Sequence, residues 1–457
     1  MQDVYDYIEA HATDTVEQLA RLCRQPSVSA QALGIHDMAR LLVEVLREKG
    51  FDSQLHPTGG NPLVTARLQG SGPRTLLFYN HYDVQPPEPL EKWTTPPFEP
   101  TVRDGKLFAR GATDNKGNIV SRLAAIEAIL AVRGRLPLTV TWLVDGEEEV
   151  SSPHLPGFCR EHREWLRADG CIWEDTMGRV DAPVVSLGNK GICTLELRCR
   201  TANTDFHSSF AGIYPNAAWR LAWALSSIKG PDERVLVDGF YEGVAPLEPE
   251  QRRIVDELPP VDLAQRRQLF GMTRLAGDVV DGREAARRLA VEPTCNLAGL
   301  TSGYAGPGSK TVTPSDAIAR IDCRLVPDQD PDDIHTKFKV HLERRGFDDI
   351  EVRLLNKAYP SSTSLDTPLN RAIDQAAREV YGKPAIFEPL QAGATPVWVG
   401  AKVLGIPVAS TGVGYVTART HAPDENIDLR HLIEGAKYMA TIIMRFGEAG
   451  ATTGTGH

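Results

Sequence analysis

The stretch that most constrains this chain is Leu138-Thr-Val-Thr-Trp-Leu-Val-Asp-Gly-Glu147-Glu148-Glu149. Residues 138–144 are apolar or β-branched throughout, the pattern of a strand buried on both faces. Such a strand belongs inside a sheet with helices on each side. Asp145-Gly146 ends it, and three carboxylates follow at once. Adjacent carboxylates repel, so they either lie in water as an acidic loop or need a cation to be buried together. Two further apolar runs end in residues of metal-binding type. One runs from Thr75 into His81-Tyr-Asp83, and the other from Gly170 into Glu174-Asp175.

The elements around these runs alternate. Residues 13–25 and 35–50 read as amphipathic helices; in the second, Met38, Leu41, Leu42, Val45 and Leu46 share a face and Gly50 is the stop. Leu63–Leu68 alternates as a strand, 86–100 is proline-rich loop, and Asp104-Gly105 marks a hairpin turn. After Gly111-Ala-Thr-Asp114-Asn-Lys-Gly117 a helical pattern carries Ile119, Leu123, Ile126 and Leu130. Strands alternating with helices predict an α/β fold with a mostly parallel sheet, in which ligands bind at the strand C-termini. From about Lys190 the pattern changes. A half-exposed strand at 192–200, a helix at 216–228, a charged helical stretch at 248–290, strands at 294–301 and 311–326, a helix at 331–346 and a strand at 349–357 read as a separate ferredoxin-like α+β domain. After Pro360 the α/β pattern returns, with helices at 367–381 and 429–446 and a strand at 406–410. The expected division is therefore 1–189 and 359–457 for one interrupted domain and 190–358 for the insert. The small polar tail from Glu448 is expected to be disordered.

Composition narrows the class. A net charge of −10 argues against a nucleic-acid surface. No apolar run approaches the ~20 residues of a membrane span, and the N-terminus lacks the basic and apolar regions of a signal peptide. Seven cysteines without a Cys-x-x-Cys pair read as reduced thiols in a cytoplasmic protein.

Imidazole and carboxylate without thiolate suit a catalytic site for zinc, manganese or cobalt. The candidate ligands are His81, Asp114, a glutamate of 147–149, Glu174 or Asp175, and His421. Strand period two puts His81 and Asp83 on one face, so Asp83 can orient the ring. Three ligand carboxylates against two divalent ions leave one positive charge, which suits a hydroxide nucleophile. A further carboxylate can take the proton of water and pass it to a leaving amine, which makes adjacent glutamates useful.

His81-x-Asp83, Gly111-Ala-Thr-Asp114-Asn-Lys-Gly, Glu148-Glu149, Glu174-Asp175-Thr, Asp205-Phe-His207-Ser and His421-Ala-Pro-Asp-Glu-Asn, in this order and spacing, resemble the co-catalytic metallopeptidases. That family includes carnosinase-like dipeptidases, carboxypeptidase G, aminoacylase and succinyl-diaminopimelate desuccinylase. The resemblance implies a zinc-peptidase-like catalytic domain with an inserted lid and dimerisation domain. It implies two divalent ions, zinc first, held by His81, Asp114, Glu149, Asp175 and His421, with Asp114 bridging. Glu148 becomes the general base and Asp83 orients His81. The Asp114–Asn115 bond is expected to be cis. His207 becomes the oxyanion stabiliser, supplied across a homodimer, and Arg324 the clamp for a substrate carboxylate. Two registers stay open: Glu147/Glu148 in place of Glu148/Glu149, and Glu174 in place of Asp175. The dipeptidase branch has Asp followed by a small polar residue, as in Asp175-Thr176, and is preferred. In the late substrate loop, where these dipeptidases often have Arg-Glu-Gly-Gly-Ser, this chain has Leu390-Gln-Ala-Gly393-Ala-Thr-Pro, and Gly393 is the candidate contact. The expected activity is hydrolysis of dipeptides or small peptides, with N-acyl amino acids as the alternative substrates.

Overall fold

The structure, a computed structural model, describes every residue except Met177, Ala245, Asp278, Ala392, Ala394 and 449–457; it also leaves out the side chain of Leu269. The expected tail disorder thus falls outside the described residues. The chain forms two units. The first is Met1–Gly188 with Thr363–Glu388 and Thr395–His457, and the second is Asn189–Ser362 with Pro389–Ala394.

In the first unit the strands are β1 (Asp52–His56), β2 (Leu63–Leu68), β3 (Thr75–His81), β4 (Thr139–Asp145), β5 (Gly170–Trp173), β6 (Val184–Ser186), β7 (Ile386–Glu388) and β8 (Val408–Ser410). They form one sheet in the order β1-β2-β4-β3-β5-β8-β6-β7. Its centre is parallel: β3 pairs with β4 and β5, and β5 with β8, all in parallel. Every residue of β4 is buried, as its unbroken apolar run requires. Alternate residues enter different cores. Phe78, Trp142 and Ile172 pack on one face with the helices α2 (Ala12–Arg24), α3 (Ile35–Glu48), α4 (Lys116–Arg133), α5 (Pro368–Tyr381) and α6 (Leu429–Glu448). Leu77, Tyr79, Leu143 and Trp173 pack on the other with Leu155, Val399 and Leu404. The parallel register aligns the strand ends: His81 sits opposite Asp145, and Tyr79 opposite Trp173. The residues after these ends therefore emerge along one edge. Helix α4 starts two residues after Asp114 and stops at Gly134, whose φ of 73° suits glycine.

The second unit carries a four-stranded antiparallel sheet of Gly191–Arg200, Thr294–Ser302, Asp316–Leu325 and Ile350–Ala358. Counted along the unit, the strand order is 2-3-1-4, the ferredoxin-like arrangement. Helices Ala217–Ile228 and Pro331–Arg344 contribute Leu221, Ala224 and Phe338 to a core with Leu195, Leu197 and Ile321 from the strands. The expected helical stretch at 248–290 is three helices, Pro249–Glu257, Leu263–Phe270 and Gly282–Val291. Pro259-Pro260 and Gly271 break it.

Candidate metal centre

Three ligand-bearing segments follow directly from parallel strand ends. His81 closes β3, the glutamates follow β4, and Glu174 follows β5. Asp114 precedes α4, and His421 lies in the loop between β8 and α6.

Asp114 stands at the middle. Its Oδ1 lies 3.0 Å from His81 Nε2 and its Oδ2 2.9 Å from His421 Nε2. His421 Nε2 is also 3.3 Å from Glu149 Oε2. His81 Nε2 is 3.9 Å from Glu174 Oε2. Two groups bring donor atoms within 4.8 Å of one another: His81, Asp114 and Glu149, and His81, Glu148 and Glu174.

Asp175 departs from the preferred register. Its Oδ2 accepts from Asn118 Nδ2 at 2.7 Å and its Oδ1 from the Thr176 amide at 2.6 Å. Glu174, not Asp175, faces His81. The cause is local backbone: Glu174 has φ of 22°, which turns the chain just past the strand end. The three adjacent glutamates differ in what they meet. Glu147 Oε1 accepts from the Asn61 amide at 2.9 Å and its Oε2 meets His154 Nδ1 at 2.7 Å, whereas Glu148 and Glu149 join the donor groups.

Asp83 does two things. Its carboxylate lies 3.5 Å from His81 Nδ1, while its own carbonyl is closer to that nitrogen, at 3.1 Å. Its two oxygens accept from the amides of Glu148 and Glu149 at 3.1 and 3.0 Å. Asp83 thus meets the imidazole chiefly through its carbonyl, while its carboxylate bonds the Glu148–Glu149 turn. The Asp114–Asn115 bond is cis.

The electrostatics are those of buried carboxylates crowded around two imidazoles. Burial, together with the charge of Glu174, pushes Glu148 well above the usual carboxylate range. Burial pushes Glu174 up to about 7, with Asp114 adding to it, and Asp175 likewise to about 7. Hydrogen bonds from His421 and His81 overcome burial at Asp114 and lower it. Asp114 and Glu149 raise His421 to about 10. Neither carboxylate oxygen of Glu174, nor Glu149 Oε1, meets a hydrogen-bond donor although all three are buried. Unpaired buried carboxylate oxygens beside neutral-capable imidazoles are the donor set that divalent cations take.

Several supporting residues carry no role that their motifs announce. Glu425, 1 % exposed, bonds Arg110 Nη1 at 2.7 Å and accepts from the amides of Gly111, Thr113 and Asp114 at 3.0, 3.0 and 3.1 Å. It holds the loop that presents Asp114. Its signal was its place four residues after His421. Gln85 Nε2 reaches Glu149 Oε2 at 2.9 Å. In the second unit, His207 is exposed, with Nδ1 2.9 Å from Ser209 Oγ, and Arg324 sits on Asp316–Leu325, opposite Ile192 and Thr294. Gly393 is described between two residues that are not.

The profile of Peptidase family M20/M25/M40 matches residues 77–445. The chain belongs to this family. The β-Ala-His dipeptidase of Rattus norvegicus is 26% identical over 98% of this chain and 96% of its own length. The Cys-Gly metallodipeptidase dug1 of Schizosaccharomyces pombe is 26% identical over 97% of this chain and 98% of its own. Among solved structures, the M20 family metallo-carboxypeptidase Sso-CP2 from Sulfolobus solfataricus is 33% identical, with a TM-score of 0.88, covering 95% of this chain and 99% of that one. A family match that begins inside β3 and ends inside α6 spans every residue of the acidic centre.

Proposed function

We propose that this M20 peptidase is a metal-dependent exopeptidase that cleaves the amide bond of dipeptides or small peptides. The observation that carries the proposal is Asp114, whose two oxygens each face a different histidine at hydrogen-bond distance. That geometry suits a bridging ligand between two cation pockets, His81–Asp114–Glu174 and Asp114–Glu149–His421. Zinc is the first choice for both, with manganese and cobalt as alternatives. Bound there, the cations would polarise the scissile carbonyl and acidify water. Glu148 lies beside His81 and Glu174, their donor atoms within 4.8 Å of one another, and is the group to accept the proton of water and deliver it to the leaving amine. Its raised affinity for a proton, caused by burial and by Glu174, suits that return step. Asp83 keeps His81 oriented and Glu148 in place. Following the family resemblance, His207 stabilises the oxyanion, Arg324 clamps a free carboxylate with its planar fork, and Gly393 offers backbone to the substrate. The relatives named for Cys-Gly and β-Ala-His substrates support a dipeptide; the Sulfolobus relative's name, metallo-carboxypeptidase, supports the wider small-peptide class.

A homodimer through the insert accompanies this reading. It is supported by Trp219 and Trp223, which are 61% and 55% exposed and stack at 6.0 Å on helix Ala217–Ile228. A cytoplasmic location is supported by seven free thiols. The test is hydrolysis of a dipeptide panel and of N-acetyl amino acids before and after chelation. Cleavage of dipeptides that chelation abolishes and zinc, manganese or cobalt restores is expected. Preference for N-acetyl amino acids would turn the assignment to a deacylase, and full activity without metal would refute it.

A further inference from the structure

Arg122 lies on the apolar row of α4, between Ile119 and Ile126 in the i, i+3, i+7 pattern, and is 1 % exposed. A guanidinium removed from water to this degree needs a strong local reason. Among the described residues it makes no hydrogen bond to a carboxylate. Its Nη1 donates to the Tyr79 carbonyl at 2.8 Å and to Asn80 Oδ1, and its Nη2 to the Glu174 carbonyl. On its apolar side lies the aromatic ring of Phe78, whose centroid is 5.1 Å from the guanidinium carbon.

These acceptors share one property. Tyr79 and Asn80 precede His81 on β3. The Tyr79 carbonyl also accepts from the Glu174 amide at 2.8 Å, closing β3 onto the residue after β5. Glu174 is the residue with φ of 22°, a conformation that a side chain disfavours and that surrounding bonds must hold. Asn80 Oδ1 accepts from Trp142 Nε1 at 3.0 Å as well, and its Nδ2 donates to Asn115 Oδ1, next to Asp114. One guanidinium thus bonds the strand that ends in His81 and the backbone of Glu174, and reaches Asn115, the neighbour of Asp114, through the Asn80 side chain. The other side of the centre is held differently: Glu149 by Asp83 and Gln85.

We propose that Arg122 is a positioning residue for the His81–Asp114–Glu174 pocket alone, aiming Glu174 inward and Asp175 away, while the Asp114–Glu149–His421 pocket does not depend on it. This rests on the two-pocket reading above. Backbone bonds from a planar fork fix two strand ends at once, which a point charge cannot do.

The experiment measures zinc and manganese content and affinity by metal analysis and titration of the chelated protein against a competing chelator, with no substrate present. Wild type is expected to take up two equivalents. Arg122→Met should keep one equivalent at wild-type affinity and bind the other ~10–100-fold more weakly, the loss typical when a group supporting a ligand is removed. Arg122→Lys should lose in the same direction and carries the test if the Met variant does not fold. Ile126→Ala, on the same row, should lower the thermal midpoint yet bind two equivalents as wild type does. Folded Arg122 variants that bind both equivalents normally, or weaken both equally, overturn the proposal. Wild type that takes up no cation overturns the two-pocket reading itself.

Discussion

Exchanging Glu174 and Asp175 one at a time separates two neighbouring carboxylates by what each faces. In Asp175→Asn, the amide can keep one of its two acceptor contacts, to Asn118 Nδ2 at 2.7 Å or to the Thr176 amide at 2.6 Å. The lost charge-assisted bond costs about 1.5–3 kcal/mol, and a mismatched donor about as much again. Against this, burial holds the Asp175 carboxyl at about 7 against its ordinary 3.8. Ionising it inside the protein therefore costs about 4 kcal/mol that the amide does not incur. The terms nearly cancel, so the variant should stay within about 2 kcal/mol of wild type. It should retain two cations. In Glu174→Gln the lost group is one whose oxygens have no donor and face His81. Cation affinity in that pocket should fall at least ~100-fold, the upper end of what merely supporting groups cost. Metal analysis after dialysis at a fixed free-zinc level should give two, two and one equivalents for wild type, Asp175→Asn and Glu174→Gln. If Asp175→Asn loses a cation and Glu174→Gln keeps both, the geometric assignment is wrong and the dipeptidase-branch register is restored.

Glu148→Gln should keep two cations and slow turnover by ~10²–10⁴-fold, whereas Glu149→Gln should lose occupancy; the reverse pattern in metal analysis would exchange their roles. Arg324→Lys should raise KM for peptides with a free C-terminus and change little for amidated ones, because an ammonium lacks the fork; equal losses on both would remove Arg324 from the carboxylate. His431 is 2% exposed, neither ring nitrogen has a hydrogen-bond partner, and burial lowers it to about 4 despite Asp428. The unfolded chain takes up this proton near pH 6.5 and the folded one only near 4, so stability should fall as pH drops between them. The loss should reach about 3 kcal/mol. Urea melts of His431→Leu should lack that part of the slope, and an unchanged slope would refute the assignment.

The strand ends were legible because their pattern is one-dimensional. An unbroken apolar run predicts a two-sided strand, and β4 is buried along its length. The residues at and just after the ends of these parallel strands, His81, Glu147 and Glu174, then have to share an edge. Individual elements slipped by a residue, since β4 spans Thr139–Asp145 rather than 138–144. The first helix, Gln2–Ala10, buries only Val4 and Ile8, too few residues to make a period. The choice between Glu174 and Asp175 was not legible. Both follow the same strand, and which one points inward depends on the φ of Glu174 and on a guanidinium 52 residues away in sequence. Motif position favoured Asp175 because it carries residue type and order, and no direction. Arg122 itself was visible as a charge on an apolar row, but its acceptors are backbone carbonyls, which no sequence distinguishes.

The same carbonyls explain why the acidic centre needs cations from outside. Besides Arg110, which pairs with Glu425, two buried basic side chains stand near it. Lys116, two residues after Asp114, donates to the carbonyls of Leu22 and Gln25 at 3.0 and 2.9 Å, and burial draws it down to about 8. Arg122 donates to the carbonyls of Tyr79 and Glu174. Had either formed an ion pair with Glu148, Glu149 or Glu174, one carboxylate would already be compensated from within the protein, and a divalent ion would have to displace the pair. Because both point into the scaffold, they fix the positions of the segments and leave the carboxylates with their charge. Asp114, Glu148, Glu149 and Glu174 are then four acids facing two imidazoles. That arrangement is costly while nothing is bound, and the cost is recovered when cations arrive. Structural cations turned outward and acids turned inward is what a two-cation hydrolase requires, and a self-sufficient salt-bridge cluster would have the opposite orientation.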